Sequence, residues 1–232
     1  MSGKVSKTIG IIGGMGPEAT LKLFEYLIYS KVVDNDSDHP RIIIDSNSKI
    51  PDRNKYLLGY KDAVNPSGEM VRSAKTLQNA GSDILLLPCL TAHYFISDVQ
   101  KEVDIPIRDM IETLLQQLRK LNLTNVGLLA TKTTYSKNIF NTYINKPEFN
   151  VNLILPEEPQ QEIVHDIIYS VKRRKTNAQD YNNLRKISDS LIQKGAEKII
   201  LGCTDLPVLN LQEPYYIDIL EYYAKEVIDR YG

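Results

Sequence analysis

The 232-residue chain has two cysteines, no apolar run of membrane length and a net charge of only −1. Each scarcity excludes something. Two cysteines 114 residues apart form no C-x-x-C metal or redox spacing. No stretch approaches the ~18 consecutive apolar residues of a transmembrane helix, so no membrane association is expected. With 28 Lys and Arg against 29 Asp and Glu, no surplus charge points to nucleic acid, and the one cationic run, Lys172-Arg173-Arg174-Lys175, is short. Lys7 leads directly into Ile9-Gly10-Ile11-Ile12 and then glycines, too short a stretch for a signal-peptide core. Cytoplasmic residence is the expectation, and thiols there are kept reduced. What remains, 42% hydrophobic and 25% charged residues, is the composition of one large or two small folded domains.

Short apolar runs alternate with helical patterns throughout. Strands are expected over 8–12, 42–45, 84–88, 125–130, 151–155 and 198–201. Helices are expected over 17–31, 68–80, 110–121, 136–144, 160–172, 180–194 and about 219–230. Such alternation, with β-branched strands, predicts an α/β fold of mostly parallel sheets flanked by helices. The pattern also repeats. Leu77-Gln78-Asn79-Ala80-Gly81 leads through Ile84-Leu85-Leu86-Leu87-Pro88 to Cys89; Leu191-Ile192-Gln193-Lys194-Gly195 leads through Lys198-Ile199-Ile200-Leu201-Gly202 to Cys203. Each cysteine lies eight residues after its glycine. Upstream, Thr8-Ile9-Gly10-Ile11-Ile12 matches Asn125-Val126-Gly127-Leu128-Leu129, and Gly10 precedes Cys89 by 79 residues where Gly127 precedes Cys203 by 76. We read a duplication of two lobes: residues 1–108 with about 210–232, and residues 109–209.

Ligands of open parallel sheets bind beyond the carboxyl ends of the strands, where both cysteines are expected. A thiol at a helix start feels positive backbone dipole, which favours the thiolate. The competing interpretation is that each is a small buried apolar group, but two at equivalent places in a repeat favour a shared reaction on two faces of one carbon. Gly13-Gly14-Met15-Gly16-Pro17-Glu18-Ala19 contains G-x-G-x-x-A after a strand, as in dinucleotide sites. Asp45 lies too far along for the ribose acid, and a tight turn whose glycines admit a close neighbour is preferred. Arg53, in Ile50-Pro51-Asp52-Arg53, is suited to a carboxylate. Lys172 is a second cation at a helix C-terminus. Thr131, Thr133 and Thr134 either donate to an anion or cap the next helix. His93 either exchanges protons with the thiol or orients groups by hydrogen bonds.

These motifs resemble the aspartate/glutamate racemases that work without pyridoxal phosphate, in their aspartate racemase branch. Gly13-Gly14-Met15-Gly16-Pro17-Glu18-Ala19-Thr20 and Ile50-Pro51-Asp52-Arg53 resemble that branch's first two motifs, and Leu128-Leu129-Ala130-Thr131 also fits. Pro88-Cys89-Leu90-Thr91-Ala92-His93 resembles P-C-N-T-A-H, and Leu201-Gly202-Cys203-Thr204-Asp205-Leu206 resembles L-G-C-T-E-L. The D-S-G opening and the His after G-C-T of the glutamate branch are lacking. The resemblance implies two pseudo-twofold-related α/β lobes with the active site in the cleft between them, a homodimer, a small acidic amino acid as substrate, and neither cofactor nor metal. It implies that one cysteine removes the α-proton and the other returns a proton to the opposite face, Cys203 acting on the L-isomer and Cys89 on the D-isomer. Substrate contacts then fall to Arg53 and Lys172 on the side-chain carboxylate, to Thr91, Thr131, Thr204 and backbone N–H groups on the α-carboxylate, and to Met15 and Leu90. Leu90 in place of Asn and Asp205 in place of Glu are departures that bear on substrate preference.

The expected activity is therefore interconversion of L- and D-aspartate, with glutamate as a further substrate. The rivals are a cysteine-dependent isomerase or decarboxylase of a small dicarboxylate, a two-lobed amino-acid-binding protein without activity, and a nicotinamide-dependent enzyme.

Overall fold

The apolar runs of the sequence become strands whose neighbours are parallel. The computed structural model describes residues 7–146 and 148–232. It divides into two units, the first reaching Met110 and regaining Leu220–Gly232, the second spanning Ile111–Ile219.

In the first unit β1 (Ile9–Gly13) lies between β2 (Ile42–Ser46) and β3 (Ile84–Leu86). Every residue of β1 is buried, as a central parallel strand requires. Helices α1 (Pro17–Tyr29), α2 (Arg53–Leu57), α3 (Ser67–Asn79) and α4 (Ile96–Gln100) complete this stretch. α1 begins at Pro17, whose fixed φ suits the first helical position. Beyond β3 the chain returns to form a parallel bridge, Leu85 to Ile107, on the open edge of the sheet.

The second unit repeats this plan. α5 (Met110–Lys120) precedes β4 (Asn125–Leu129), which lies between β5 (Asn152–Ile154) and β6 (Lys198–Leu201). α6 (Lys132–Ser136), α7 (Asn141–Ile144), α8 (Glu158–Lys172) and α9 (Ala178–Gln193) connect these strands. A further parallel strand, β7 (Tyr216–Asp218), pairs with β6 as the Ile107 bridge does with β3. The central-strand glycines have matching surroundings. A Cβ on Gly10 would lie 2.6 Å from Ser82 Oγ, and one on Gly127 would lie 3.1 Å from Leu191 Cδ1. Gly10 leaves room for the loop that enters β3 and for Leu85 within it, and Gly127 for Leu191 of α9 and Ile199 of β6.

Two expectations need correction. The chain stays with the second unit through Ile219, rather than leaving it near residue 210, because Tyr216–Asp218 adds a strand to that unit's sheet. The single helix expected over 136–144 is two short ones. Thr131 caps a helix that starts at Lys132, and Asn138, at φ 49°, turns the chain before α7.

The final helix, α10 (Ile219–Tyr231), is counted with the first unit from Leu220 onward. Tyr223 is fully buried there; its hydroxyl donates to Arg108 O at 2.6 Å and accepts from Leu87 N at 3.4 Å. Glu226 holds Arg108 and Arg230 at 3.0 and 2.9 Å.

Candidate active site

Cys89 follows β3 by way of Leu87 and Pro88, and Cys203 follows β6 by way of Gly202. Both are free thiols, and both are 7% exposed. Neither begins an α-helix. A six-residue 3-10 helix, Leu90–Phe95, follows Cys89, and a four-residue one, Leu206–Leu209, follows Cys203 after a turn. Such short, tight helices supply little of the dipole that a long helix would bring. Local contacts therefore have to distinguish the two thiols.

Around Cys89 those contacts are made by backbone and imidazole. The Cys89 carbonyl accepts from Ala92 N at 3.1 Å and lies 3.0 Å from His93 Nδ1. Met110 N donates to His93 Nε2 at 3.1 Å. A backbone N–H can only donate, so Nε2 is the acceptor and the ring proton sits on Nδ1, donating to Cys89 O. Burial pushes the imidazole below its usual range, against smaller opposing effects of Asp109 and the Cys89 carbonyl. His93 is thus a neutral fastener that ties the Cys89 turn to the start of α5, the orienting role among those open to it. Leu90 and Thr91 are buried beside it.

The glycine loop is fixed as tightly. Gly14 has φ +85°, and a Cβ there would lie 2.3 Å from the carbonyl carbon of Asn47. The close neighbour is therefore backbone from the end of β2, which is the tight-turn interpretation of G-x-G-x-x-A. Thr20 Oγ1 accepts from Gly14 N at 3.0 Å. Arg53 is buried, and its guanidinium donates to Pro51 O at 3.0 Å, Met15 O at 3.1 Å and Ile50 O at 3.4 Å. It joins the two loops that the sequence motifs mark, while its buried Nε has no hydrogen-bond partner among the described residues. Met15 enters through its carbonyl; its side chain is in the core.

Around Cys203 the contacts are ionic. Sγ donates to Asp205 Oδ2 at 3.6 Å, and Lys172, from the last turn of α8, places Nζ 2.8 Å from the same oxygen. Thr204 is buried beside them. Thr131 caps α6: its hydroxyl accepts from Thr134 N at 3.4 Å and lies 3.1 Å from Thr134 Oγ1. Tyr135, which sequence reasoning did not single out, accepts from Ala130 N at 2.7 Å and donates to Leu128 O at 3.0 Å, and burial pushes its ionisation upward. The first unit thus holds Cys89, Leu90, Thr91, Arg53 and Met15; the second holds Cys203, Thr204, Thr131 and Lys172.

Residues 12–227 match the family model described as Asp/Glu/Hydantoin racemase. The chain belongs to that family. It is similar to an aspartate racemase from Picrophilus torridus, at 29% identity and a TM-score of 0.84, over 97% of this chain and 94% of that one. An aspartate racemase homologue from Pyrococcus horikoshii OT3 matches at 26% identity and a TM-score of 0.76, over 97% and 98% of the two chains. A broad specificity amino-acid racemase from Bacillus subtilis is 26% identical over 85% of both chains. Two parallel sheets flanked by helices are what these racemase structures share with this family member. Among the described residues no helix is long and apolar enough to cross a membrane.

Proposed function

We propose that this racemase-family chain interconverts L- and D-aspartate, with glutamate as a further substrate, and does so without pyridoxal phosphate. The observation that carries the proposal is the repeat: one reduced thiol at the same strand end of each unit, both equally buried. Inverting a carbon by proton exchange needs a base on one face and an acid on the other, and two thiols can exchange those roles. One cysteine, as thiolate, removes the α-proton; the other, as thiol, supplies a proton opposite. The carbanion is stabilised by donors set in advance, for which Thr91, Thr204, Thr131 and the backbone N–H groups after each cysteine are our candidates. Arg53 and Lys172 are proposed for the side-chain carboxylate, with Met15 and Leu90 at the substrate's apolar surface. A cytoplasmic homodimer is part of the same proposal.

A chiral assay of aspartate and glutamate without added cofactor tests it, run in deuterated solvent. We expect deuterium at the α-carbon from either enantiomer. Cys89→Ser and Cys203→Ser should each lower racemisation by about 10²–10⁴-fold, the range of a lost acid or base. Turnover without α-exchange would favour an isomerase or decarboxylase, and binding without turnover in the unmodified protein would leave an amino-acid-binding protein.

A second reading, a wider range of side chains, has its own support. Lys172 is already paired with Asp205, and Leu90 is apolar, so the preference for an acidic side chain is weakened at two positions. The same assay with neutral amino acids separates the readings.

A further inference from the structure

Cys203, Asp205 and Lys172 make one short line of contacts within the second unit. The Asp205 carboxylate is 2% exposed, and one oxygen takes both the Cys203 thiol at 3.6 Å and the Lys172 ammonium at 2.8 Å. Burying a carboxylate is costly unless it is paired, and Lys172 is the cation paired with it. The charged oxygen is a strong acceptor for the thiol hydrogen, and its charge opposes a second negative charge on sulfur. Tyr135 of α6 is a titratable group close enough to act on Cys203 electrostatically, and its hydroxyl stays protonated because burial raises its ionisation. On its apolar side Cys203 packs in a cluster with Leu129, Leu201, Leu206 and Val171. Two residues after Cys89 the chain carries Thr91, which has no charge, where two after Cys203 it carries Asp205.

We infer that Asp205, anchored by Lys172, holds Cys203 in its thiol form in the resting protein, so that Cys203 begins turnover as the proton donor and Asp205 and Lys172 are positioning residues for that step. The Cys203 Sγ–H bond breaks as its proton passes to the α-carbon. The proton removed by the other cysteine balances it, and no electrons change hands. The consequence for catalysis rests on the racemase reading. With Cys203 acting on the L-isomer as base, a resting thiol at Cys203 readies the protein for the D-to-L direction.

The pH dependence of iodoacetamide alkylation, followed for each cysteine of the full chain by peptide mass spectrometry, tests the assignment without substrate. In Asp205→Asn the midpoint for Cys203 should fall by about one pH unit or more, since a negative charge is gone and Lys172 is left facing the sulfur. In Lys172→Met it should rise, the carboxylate charge being less compensated. The Cys89 midpoint should stay where it is in both, whereas a general loosening would move both cysteines in one direction. A Cys203 midpoint that is unchanged or raised in Asp205→Asn overturns the inference, and one unchanged or lowered in Lys172→Met overturns the part of Lys172. Should Asp205→Asn fail to fold, Lys172→Met, at a side chain 22% exposed, decides the matter alone. Midpoints that move as expected in a protein that does not racemise would overturn the proposed function and leave the thiol assignment standing.

Discussion

Cys89 and Cys203 stand at matching ends of matching sheets, yet one is fastened by neutral groups and the other by charges. At Cys89 a neutral imidazole and a backbone N–H hold the turn by its carbonyl, and nothing ionised is joined to the thiol by a hydrogen bond among the described residues. At Cys203 the sulfur itself is engaged, through Asp205 and Lys172. The two units share a backbone plan, while the side chains around each thiol differ. The proposed exchange of acid and base between two thiols needs matching positions, not matching surroundings.

The largest expected effect that would break this contrast is at the rigid loop of the first unit. Gly14→Ala meets Asn47 backbone and forces a side chain onto φ +85°. The strain alone costs roughly 1–3 kcal/mol and the clash adds to it, so urea denaturation should show a large loss of stability. At the corresponding turn of the second unit, Thr131→Ala removes the hydroxyl that caps α6.

His93 comes next. In His93→Leu the Met110 N–H loses its acceptor and stays buried, a loss of about 1–3 kcal/mol by the same measurement. His93→Gln, which can offer a carbonyl oxygen to Met110 N, should recover part of it. The imidazole also makes a signed prediction for pH. Its folded-state pKa lies below the unfolded one, so the unfolded chain binds the proton more readily as pH falls. The stability that neutral His93 contributes is complete above the ordinary value of about 6.5 and is lost as pH falls below it. The slope is at most ~1.4 kcal/mol per pH unit for this one group, and subtracting the His93→Gln profile isolates it from the carboxylates. If the profiles coincide, the neutral fastener is not what holds Cys89.

Thr131→Ala should have the smallest effect, about 1 kcal/mol from the lost cap, with urea midpoints as the readout. A much larger loss of racemisation than of stability in that variant would mean that Thr131 meets the substrate as well.

The strand runs were plain in the sequence because parallel strands buried on both faces are nearly continuous in Ile, Leu and Val. β7 was not. Tyr215-Tyr216-Ile217-Asp218 alternates and lies at a sheet edge, and Ile105-Pro106-Ile107 is interrupted by proline. In both the apolar run is too short or broken to stand out, unlike the edge strand β2 with its Ile42-Ile43-Ile44. Of the site, the cysteines and their matched spacing were legible because the repeat marks them. The use of His93 depended on which backbone N–H its ring would meet 17 residues away. The partner of Lys172 depended on the path of a helix past a turn, and the chain order shows neither. Tyr135 and Tyr223 were hidden for a related reason. Nothing in their neighbours separates a tyrosine that pins a strand end from the rest of the 14.

Tyr223 has a consequence for synthesis. Its hydroxyl receives Leu87 N from 136 residues upstream, two positions before Cys89, and the same oxygen holds the carbonyl of Arg108. The ribosome releases the whole of Ile111–Ile219 before Tyr223 emerges. On a nascent chain, then, the turn that carries the earlier cysteine waits for the later one to be made, and the strand end beside Cys89 acquires its last support only when α10 arrives.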